Sequence, residues 1–123
     1  SRYRPGPGAQ RIAGKVVYHG EVWMGGDPGQ YRSIGLSCIL GSYAFLTAMQ
    51  RFAPDHVIGF MPKPVAFKGF AERQGYMHAE PGCSRWFMRG QEGPLEGFMV
   101  YMSNEDIRFR LDMPLRELMA LAA

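Results

Sequence analysis

The sequence has few cysteines, no long apolar run and no block of like charges. Only two of its 123 residues are cysteines, which excludes the disulfide framework typical of small secreted domains. Cys38 lies inside a helical pattern and behaves there as a small apolar residue, so we interpret Cys38 and Cys83 as reduced thiols in the cytoplasm. The longest apolar region is interrupted by Gly41, Ser42 and Thr47. It therefore falls short of the ~20 apolar residues that a membrane span needs.

Positive charge is also spread thinly. The formal net charge is +3, and the arginines are scattered from Arg2 to Arg116. Scattered charge favours weak attraction to anions over a dedicated nucleic-acid surface. A phosphate-bearing cofactor would account for the same charge. A basic module associated with nucleic acid or the ribosome stays as an alternative.

The composition is that of one globular domain. Apolar residues make up 46% of the chain, and its 16 glycines and 9 prolines favour strands joined by turns over a helical bundle. We expect a single domain over 1–123, with an irregular arm over 1–10, a core over 11–103 and a strand and helix over 104–123. The chain opens with Ser rather than Met and shows no signal-peptide pattern, so we expect the gene to begin upstream.

The central part of the chain predicts a strand, a helix and a second strand. The first strand pattern, over 11–24, is interrupted at His19-Gly20 by either a two-residue turn or a bulge. A breaker-rich loop then precedes a helix over 33–52, and a short strand follows over 56–61. The two strands of such a unit should be parallel with a right-handed crossover. The helix should bury one apolar face, formed by Leu36, Ile39, Leu40, Tyr43, Ala44, Leu46 and Met49.

The rest of the chain predicts further helices and strands. A helix over 65–74 should stop at Gly75, since glycine readily adopts the left-handed cap conformation. The remaining predicted elements are strands over 76–80 and 85–89 around the turn Pro81-Gly82, a strand over 96–103, a strand over 107–111 and a terminal helix capped by Asp112. The fold class is therefore α/β (α+β), with a mixed, partly splayed sheet flanked by helices.

The segment from Pro28 to Ser37 lies between the first strand and the long helix. The start of a helix exposes unpaired N–H groups and the positive end of the helix dipole, so it binds phosphates well. Gly35 has no Cβ to hold a pyrophosphate away from the backbone. Arg32 can add a charge-assisted hydrogen bond to a phosphate oxygen.

This segment, read as Arg32-x-x-Gly35-x-Ser37, resembles the pyrophosphate-binding loop of the GNAT superfamily of acyl-CoA-dependent N-acyltransferases. The family pattern is Arg or Gln, two residues, Gly, one residue, then Gly or Ala. The order of elements is also similar over about residues 15 to 103, including a second helix that ends in Gly-aromatic. The resemblance implies that 11–103 form an acyl-CoA-binding core. Acetyl-CoA or another acyl-CoA would be bound by Trp23, Met24, Arg32, Ser33, Ile34, Gly35, Leu36 and Ser37.

The resemblance also implies a reaction. In the family two parallel strands, here 21–24 and 56–61, splay apart so that pantetheine can pair with the open strand edge. Strand N–H groups then stabilise the oxyanion while an amine attacks the thioester. The function would be transfer of an acyl group, most simply acetyl, to an amine acceptor. Glu21 could act as the base; the alternative is a solvent-facing strand glutamate.

Two departures from the family pattern matter. Ala71 stands where the family's second helix commonly has a tyrosine that protonates the departing thiolate, so Tyr31, Tyr76 or a water would have to replace it. The family's opening strand and two helices have no room ahead of Arg11. The acceptor site would then be missing, supplied by a partner subunit as in a homodimer, or outside this sequence. A degenerate, non-catalytic protein that binds CoA or a partner is the alternative function.

The other reactive side chains have plainer interpretations. We interpret His19 and His78 as turn or surface histidines rather than bases. Cys83 lacks an assignable histidine partner for work as a nucleophile. Trp86 and Phe87 are interpreted as core packing rather than as the wall of an acyl or acceptor pocket. We expect no metal site.

Overall fold

The computed structural model describes residues 2–20, 25–30, 35–114 and 117. The strands are β1 (Arg2–Tyr3), β2 (Val16–Tyr18), β3 (His56–Pro62), β4 (His78–Trp86) and β5 (Leu95–Ser103). The helices are α1 (Pro7–Arg11), α2 (Leu36–Phe52), α3 (Lys63–Phe67), α4 (Phe70–Gln74) and α5 (Asn104–Leu111). Within these ranges, no helix combines the length and apolar character needed to cross a bilayer.

The strands form one mixed sheet in the order β1-β4-β5-β3-β2. β2 pairs with β3 in parallel, with Val16 opposite His56 and Tyr18 opposite Ile58. The pairings of β1 with β4, β4 with β5 and β5 with β3 are antiparallel. The parallel strands on either side of α2 confirm the predicted strand–helix–strand unit. Its first strand begins at Val16 rather than at the predicted Arg11, because α1 continues to Arg11. The predicted part over 21–24 lies outside the described residues.

The hydrophobic core lies between one face of the sheet and helices α2, α4 and α5. Strand alternation places Val57, Met61, Val100 and Met102 on this face, because cross-strand partners share a face. The helices add Phe45, Ala48, Ala71 and Ile107. We call it the helix-covered face and its opposite the outer face.

The buried side of α2 differs from the predicted apolar face. Its buried residues are Cys38, Gly41, Phe45 and Ala48, whereas Leu40, Tyr43 and Leu46 are 40%, 68% and 42% exposed. An ideal Cβ on Gly41 would overlap the backbone carbonyl of Gln74. α2 therefore packs closely against α4 at Gly41, and Leu40, Tyr43 and Leu46 lie on its exposed side.

The predicted irregular arm over 1–10 is wrong. Residues 2 and 3 pair with β4, and Arg4 N–H donates to the Cys83 carbonyl over 2.9 Å. Pro7 suits the first turn of α1, since its missing N–H would have no helical partner there. The N–H groups of Gly8 and Ala9 donate to the Glu80 carboxylate, which fixes α1 on the outer face.

The predicted turn at Pro81-Gly82 is a bulge within β4. Residues 78–80 and 84–86 both pair with β5, and the register shifts between Glu80 and Ser84. Gly82 has φ +70° and takes up the irregularity. The chain therefore continues in one direction where two strands were predicted.

The predicted strand over 107–111 is instead part of α5. Ser103 Oγ accepts the N–H of Asp106, and the Asp106 carboxylate accepts the N–H of Ser103. This capping box starts a helix. Asp112 is the C-cap of α5. Most of the predicted terminal helix falls beyond the described residues.

The predicted second helix is divided. Helix α3 ends at Phe67, α4 begins at Phe70, and Gly69 lies between them with φ +77°. Gly75 ends α4 with φ +103°, which confirms the predicted left-handed glycine stop.

Candidate functional site

His19 and Tyr76 form a buried pair beside the parallel strands. His19 Nδ1 and the Tyr76 phenol oxygen share a hydrogen bond of 2.8 Å. The two rings stack with centroids 6.0 Å apart, and Phe45 of α2 packs edge-on against both. Tyr76 is 6% exposed and His19 is half-buried. The position of His19 corrects its interpretation as a surface or turn histidine.

The end of α4 places Tyr76 in this pair. Tyr76 N–H donates to the Ala71 carbonyl over 3.0 Å, and Gly75 N–H donates to the Glu72 carbonyl over 3.0 Å. These bonds form a Schellman motif, which reverses the chain at a glycine. The backbone of Tyr76 thus lies against Ala71, the position where the resemblance implies a tyrosine. A phenol is present here, but it comes from the residue after the helix.

Gly59 lets the pair approach strand β3. An ideal Cβ at Gly59 would lie 2.9 Å from the His19 carbonyl oxygen and 3.3 Å from the Tyr76 phenol oxygen. Any larger residue would push the pair away from the strand. A glycine inside a strand pattern is a recognised sign of close backbone approach, and this sign was present in the sequence.

Within the part of the chain that the structure describes, the pairing of β2 with β3 ends beside this glycine. His19 N–H donates to the Ile58 carbonyl over 2.8 Å, and from Gly59 to Pro62 β3 pairs with β5. Backbone groups alternate in direction along a strand, so Phe60 directs its N–H and C=O to the same edge as Ile58. A polar strand edge therefore lies next to the His19–Tyr76 pair.

Burial keeps both members of the pair uncharged. It lowers the pKa of His19 below the ordinary 6.5, so the imidazole is neutral at neutral pH. Burial, with a smaller contribution from Tyr18, raises the pKa of Tyr76 well above the usual phenol range. A neutral imidazole and a neutral phenol can each accept one proton and donate another.

The predicted phosphate loop lies only partly within the described residues. Glu21, Trp23, Met24, Arg32, Ser33 and Ile34 fall outside them. Gly35 is the N-cap of α2 with φ +74°, a left-handed conformation that glycine adopts readily. Gly35 is buried, and Leu36 and Ser37 are half-buried. Among the described residues, which exclude 31–34, no side-chain hydrogen bond caps this end of α2.

Arg110 places a buried positive charge beside the first turn of α2. It is 7% exposed, and its Nη2 lies 3.4 Å from Cys38 Sγ. Its Nη1 is also buried and has no hydrogen-bond partner among the described residues. A buried guanidinium nitrogen without an acceptor is unfavourable, so an anion at this turn would stabilise it. Sequence reasoning missed Arg110, because its helix was predicted as a strand.

The remaining candidates have structural roles. Cys83 is buried, and its thiol lies 3.3 Å from the Gly97 carbonyl. Burial raises the pKa of this thiol, which disfavours the reactive thiolate. His78 pairs with Asp106, Nε2 to Oδ2 at 2.9 Å, and joins β4 to α5. His56 Nδ1 lies 3.2 Å from the Ala13 carbonyl at the start of β3.

Trp86 and Phe87 are not core residues. They are 45% and 62% exposed, and Trp86 lines an apolar pocket on the outer face. Their interpretation as core packing is therefore wrong.

Comparisons with protein-family models, curated proteins and solved structures found no match to this chain. Among the residues that the structure describes, no group of three or more His, Cys, Asp or Glu side chains is arranged to hold a metal ion.

Proposed function

We propose that this chain is a GNAT-like N-acyltransferase that moves an acyl group from acyl-CoA to an amine. The observation that carries the proposal is the position of the His19–Tyr76 pair. The pair lies at Gly59, beside the edge of β3 where its pairing with the described residues of β2 ends. Acyl transfer to an amine needs a proton acceptor, a proton donor and an oxyanion site within reach of one carbonyl. His19, Tyr76 and Phe60 N–H supply these three groups.

The proton movement can be written so that it balances. The amine nitrogen bonds to the carbonyl carbon, the carbon–sulfur bond breaks, and one proton moves from nitrogen to sulfur. His19 Nε2 takes the proton from the amine, and His19 Nδ1–H passes its own proton to the Tyr76 oxygen. Tyr76 gives the phenol proton to the departing sulfur. Both side chains end the transfer neutral, in agreement with the directions of their pKa shifts.

The start of α2 would hold the CoA pyrophosphate. The N-terminus of this 17-residue helix has no side-chain cap from the described part of the chain, and Arg110 adds charge beside its first turn. Because Gly35 is buried, an anion would approach from the side of Leu36 and Ser37, with Arg32 as a further contact. Trp23, Met24, Ser33 and Ile34 keep the binding roles that the resemblance implies, and Glu21 keeps its role as an alternative base. The free thiols Cys38 and Cys83 suit a cytoplasmic enzyme.

Cofactor binding is tested by thermal unfolding with acetyl-CoA and CoA. We expect both to raise the melting temperature of the wild-type chain. Arg32→Glu should abolish the shift, since it puts a negative charge beside the pyrophosphate. Arg51→Glu, the same change in the last turn of the same helix, should retain it. A wild-type chain that shows no shift at millimolar acetyl-CoA would contradict the proposal.

A second candidate is a non-catalytic CoA-binding protein. It is favoured by Ala71, which is buried in α4 and leaves that helix without the family's tyrosine. The two candidates differ in turnover. Release of free thiol from acetyl-CoA in the presence of amines supports the enzyme, whereas CoA binding without thiol release supports the second candidate.

A further inference from the structure

A pocket of about 300 Å³ opens on the outer face of the sheet, at the C-terminal end of β3. Its size is at the lower end of the ~300–1,000 Å³ that is common for ligand sites. The lining residues come from three strands and the segment after β4: Phe60, Met61, Pro62, Ser84, Trp86, Met88, Leu95, Glu96 and Gly97.

The strand register explains why these side chains meet. Pro62 and Ser84 both lie opposite Gly97, and Trp86 lies opposite Leu95, so these residues share the outer face. An ideal Cβ on Gly97 would overlap Ser84 Oγ. Gly97 therefore leaves space between the apolar side chains of β3, Phe60 and Pro62, and that of Trp86 on β4.

The polar groups of the pocket already have partners. Ser84 is 2% exposed, and its Oγ accepts the indole N–H of Trp86 over 3.1 Å. The Glu96 carboxylate is paired with Lys63 Nζ at 3.5 Å and with Arg85 Nη2 at 3.7 Å. A charged ligand group would therefore have to compete with these existing partners. An apolar group would instead be buried against Phe60, Trp86 and Met88, which is favourable.

We propose that this pocket binds an apolar hydrocarbon chain that fits its volume of about 300 Å³. If the proposed function holds, the chain belongs to a substrate whose reacting carbonyl lies at the edge of β3. Phe60 connects the pocket with the edge of β3, because its backbone N–H and C=O face that edge while its side chain lines the pocket. The chain is then either the acyl group of the donor or the alkyl body of the acceptor amine.

Titration with 1-octanol, which contains neither CoA nor an amine, tests the pocket itself. We expect saturable heat of binding in calorimetry, with a negative heat-capacity change. Phe60→Glu should weaken binding at least about tenfold. The change removes an apolar contact and places a charge in the pocket, and together these should cost more than the ~1.4 kcal/mol of binding free energy that corresponds to a tenfold change in Kd. Phe109→Glu is the matched control, since Phe109 is 61% exposed on α5 and does not line the pocket. Met88→Glu repeats the test on a residue that is 51% exposed if Phe60→Glu fails to fold.

Non-saturable octanol binding, or equal affinity in the wild-type chain and both pocket variants, would overturn the proposal. Two further arms identify the source of the chain. Tighter binding of octanoyl-CoA than acetyl-CoA, lost in Phe60→Glu, assigns the pocket to the donor. Faster thiol release from acetyl-CoA with n-octylamine than with ethylamine assigns it to the acceptor. Octanol binding without any CoA binding would support the pocket and contradict the proposed acyltransferase.

Discussion

The molecule contains two histidine pairs with nearly equal hydrogen-bond lengths and different surroundings. His19 meets the Tyr76 phenol at 2.8 Å in a half-buried position under Phe45. His78 meets the Asp106 carboxylate at 2.9 Å, and its side chain is 42% exposed. The first pair is neutral and lies beside the last described pairing of β2 with β3, whereas the second joins a strand to a helix. Burial and neighbours, rather than the histidine itself, decide which pair can transfer protons.

The pKa values of the two partners are shifted in opposite directions, for different reasons. Burial keeps the Tyr76 phenol neutral by raising its pKa. Burial also acts to raise the pKa of Asp106, but hydrogen bonds from Ser103 and His78 outweigh it, so that pKa lies below its ordinary 3.8. The Asp106 carboxylate therefore stays charged and has a structural role. The Tyr76 phenol keeps a proton that it can donate.

Tyr76→Phe should have the largest effect. It removes the phenol proton and leaves the ring packing, so thiol release should slow by about 10²–10⁴-fold, the contribution of a positioned acid–base group. The measurement is thiol release from acetyl-CoA with the best amine acceptor, with circular dichroism to confirm folding. His78→Gln, in the other pair, should leave this rate unchanged. Equal rates for Tyr76→Phe and the wild-type chain would remove Tyr76 from the mechanism.

Gly41→Ala should destabilise the fold, because it overpacks the contact between α2 and α4. The added methyl group meets the Gln74 carbonyl, next to the turn that carries Tyr76. We expect the free energy of unfolding in urea to fall by about 1–3 kcal/mol, as overpacking usually causes. Ser42→Ala is the control, because it removes a buried hydroxyl that has no partner among the described residues. A more stable Gly41→Ala variant would show that α4 can move aside.

The pH dependence of kcat/KM should follow the buried pair. Activity should be lost on the acid side with a midpoint below 6.5, because burial lowers the pKa at which His19 takes a proton. No alkaline loss from Tyr76 is expected near its ordinary value of 10.0. Below pH 6.5 the unfolded chain binds this proton more readily, so the free energy of unfolding should also decline. A midpoint at or above 6.5 that survives in His19→Gln would assign the titration to another group.

Asp106→Asn should have the smallest effect, on stability only. It keeps an acceptor for Ser103 N–H but removes the charge that pairs with His78. Solvent screens this pair, so we expect a loss of about 0.2–1 kcal/mol at neutral pH. The lowered pKa of Asp106 contributes stability above 3.8, which is lost as the pH falls through the folded value. Urea unfolding should therefore show the difference at pH 7 and little difference once Asp106 is protonated.

Local signals predicted the elements that local chemistry determines. The apolar run of β3, the strand over β5 and the glycine stop at Gly75 all lie where the sequence indicates. Local signals failed where contacts distant in sequence decide the outcome. The buried side of α2 is chosen by Gly41 meeting Gln74, and the bulge in β4 is visible only once both halves pair with β5.

The candidate site was predictable to a similar extent. Tyr76 was one of three alternatives, with Tyr31 and a water, for the role of the tyrosine missing at Ala71, because the family pattern left that role open. His19 was placed at the surface, since nothing near it in sequence shows that its partner lies 57 residues away. Arg110 was missed because the alternation of Ile107, Phe109 and Leu111 suits a strand, although the capping box at Ser103 and Asp106 indicates a helix.

The two-residue strand β1 has a consequence for solubility, because it pairs with the much longer strand β4. β4 is nine residues long, and unpaired N–H and C=O groups along such a strand can recruit another molecule into an intermolecular sheet. Arg2 and Tyr3 cover part of that border, and Glu80 anchors the helix that follows them. This N-terminal cover protects the protein against edge-to-edge aggregation.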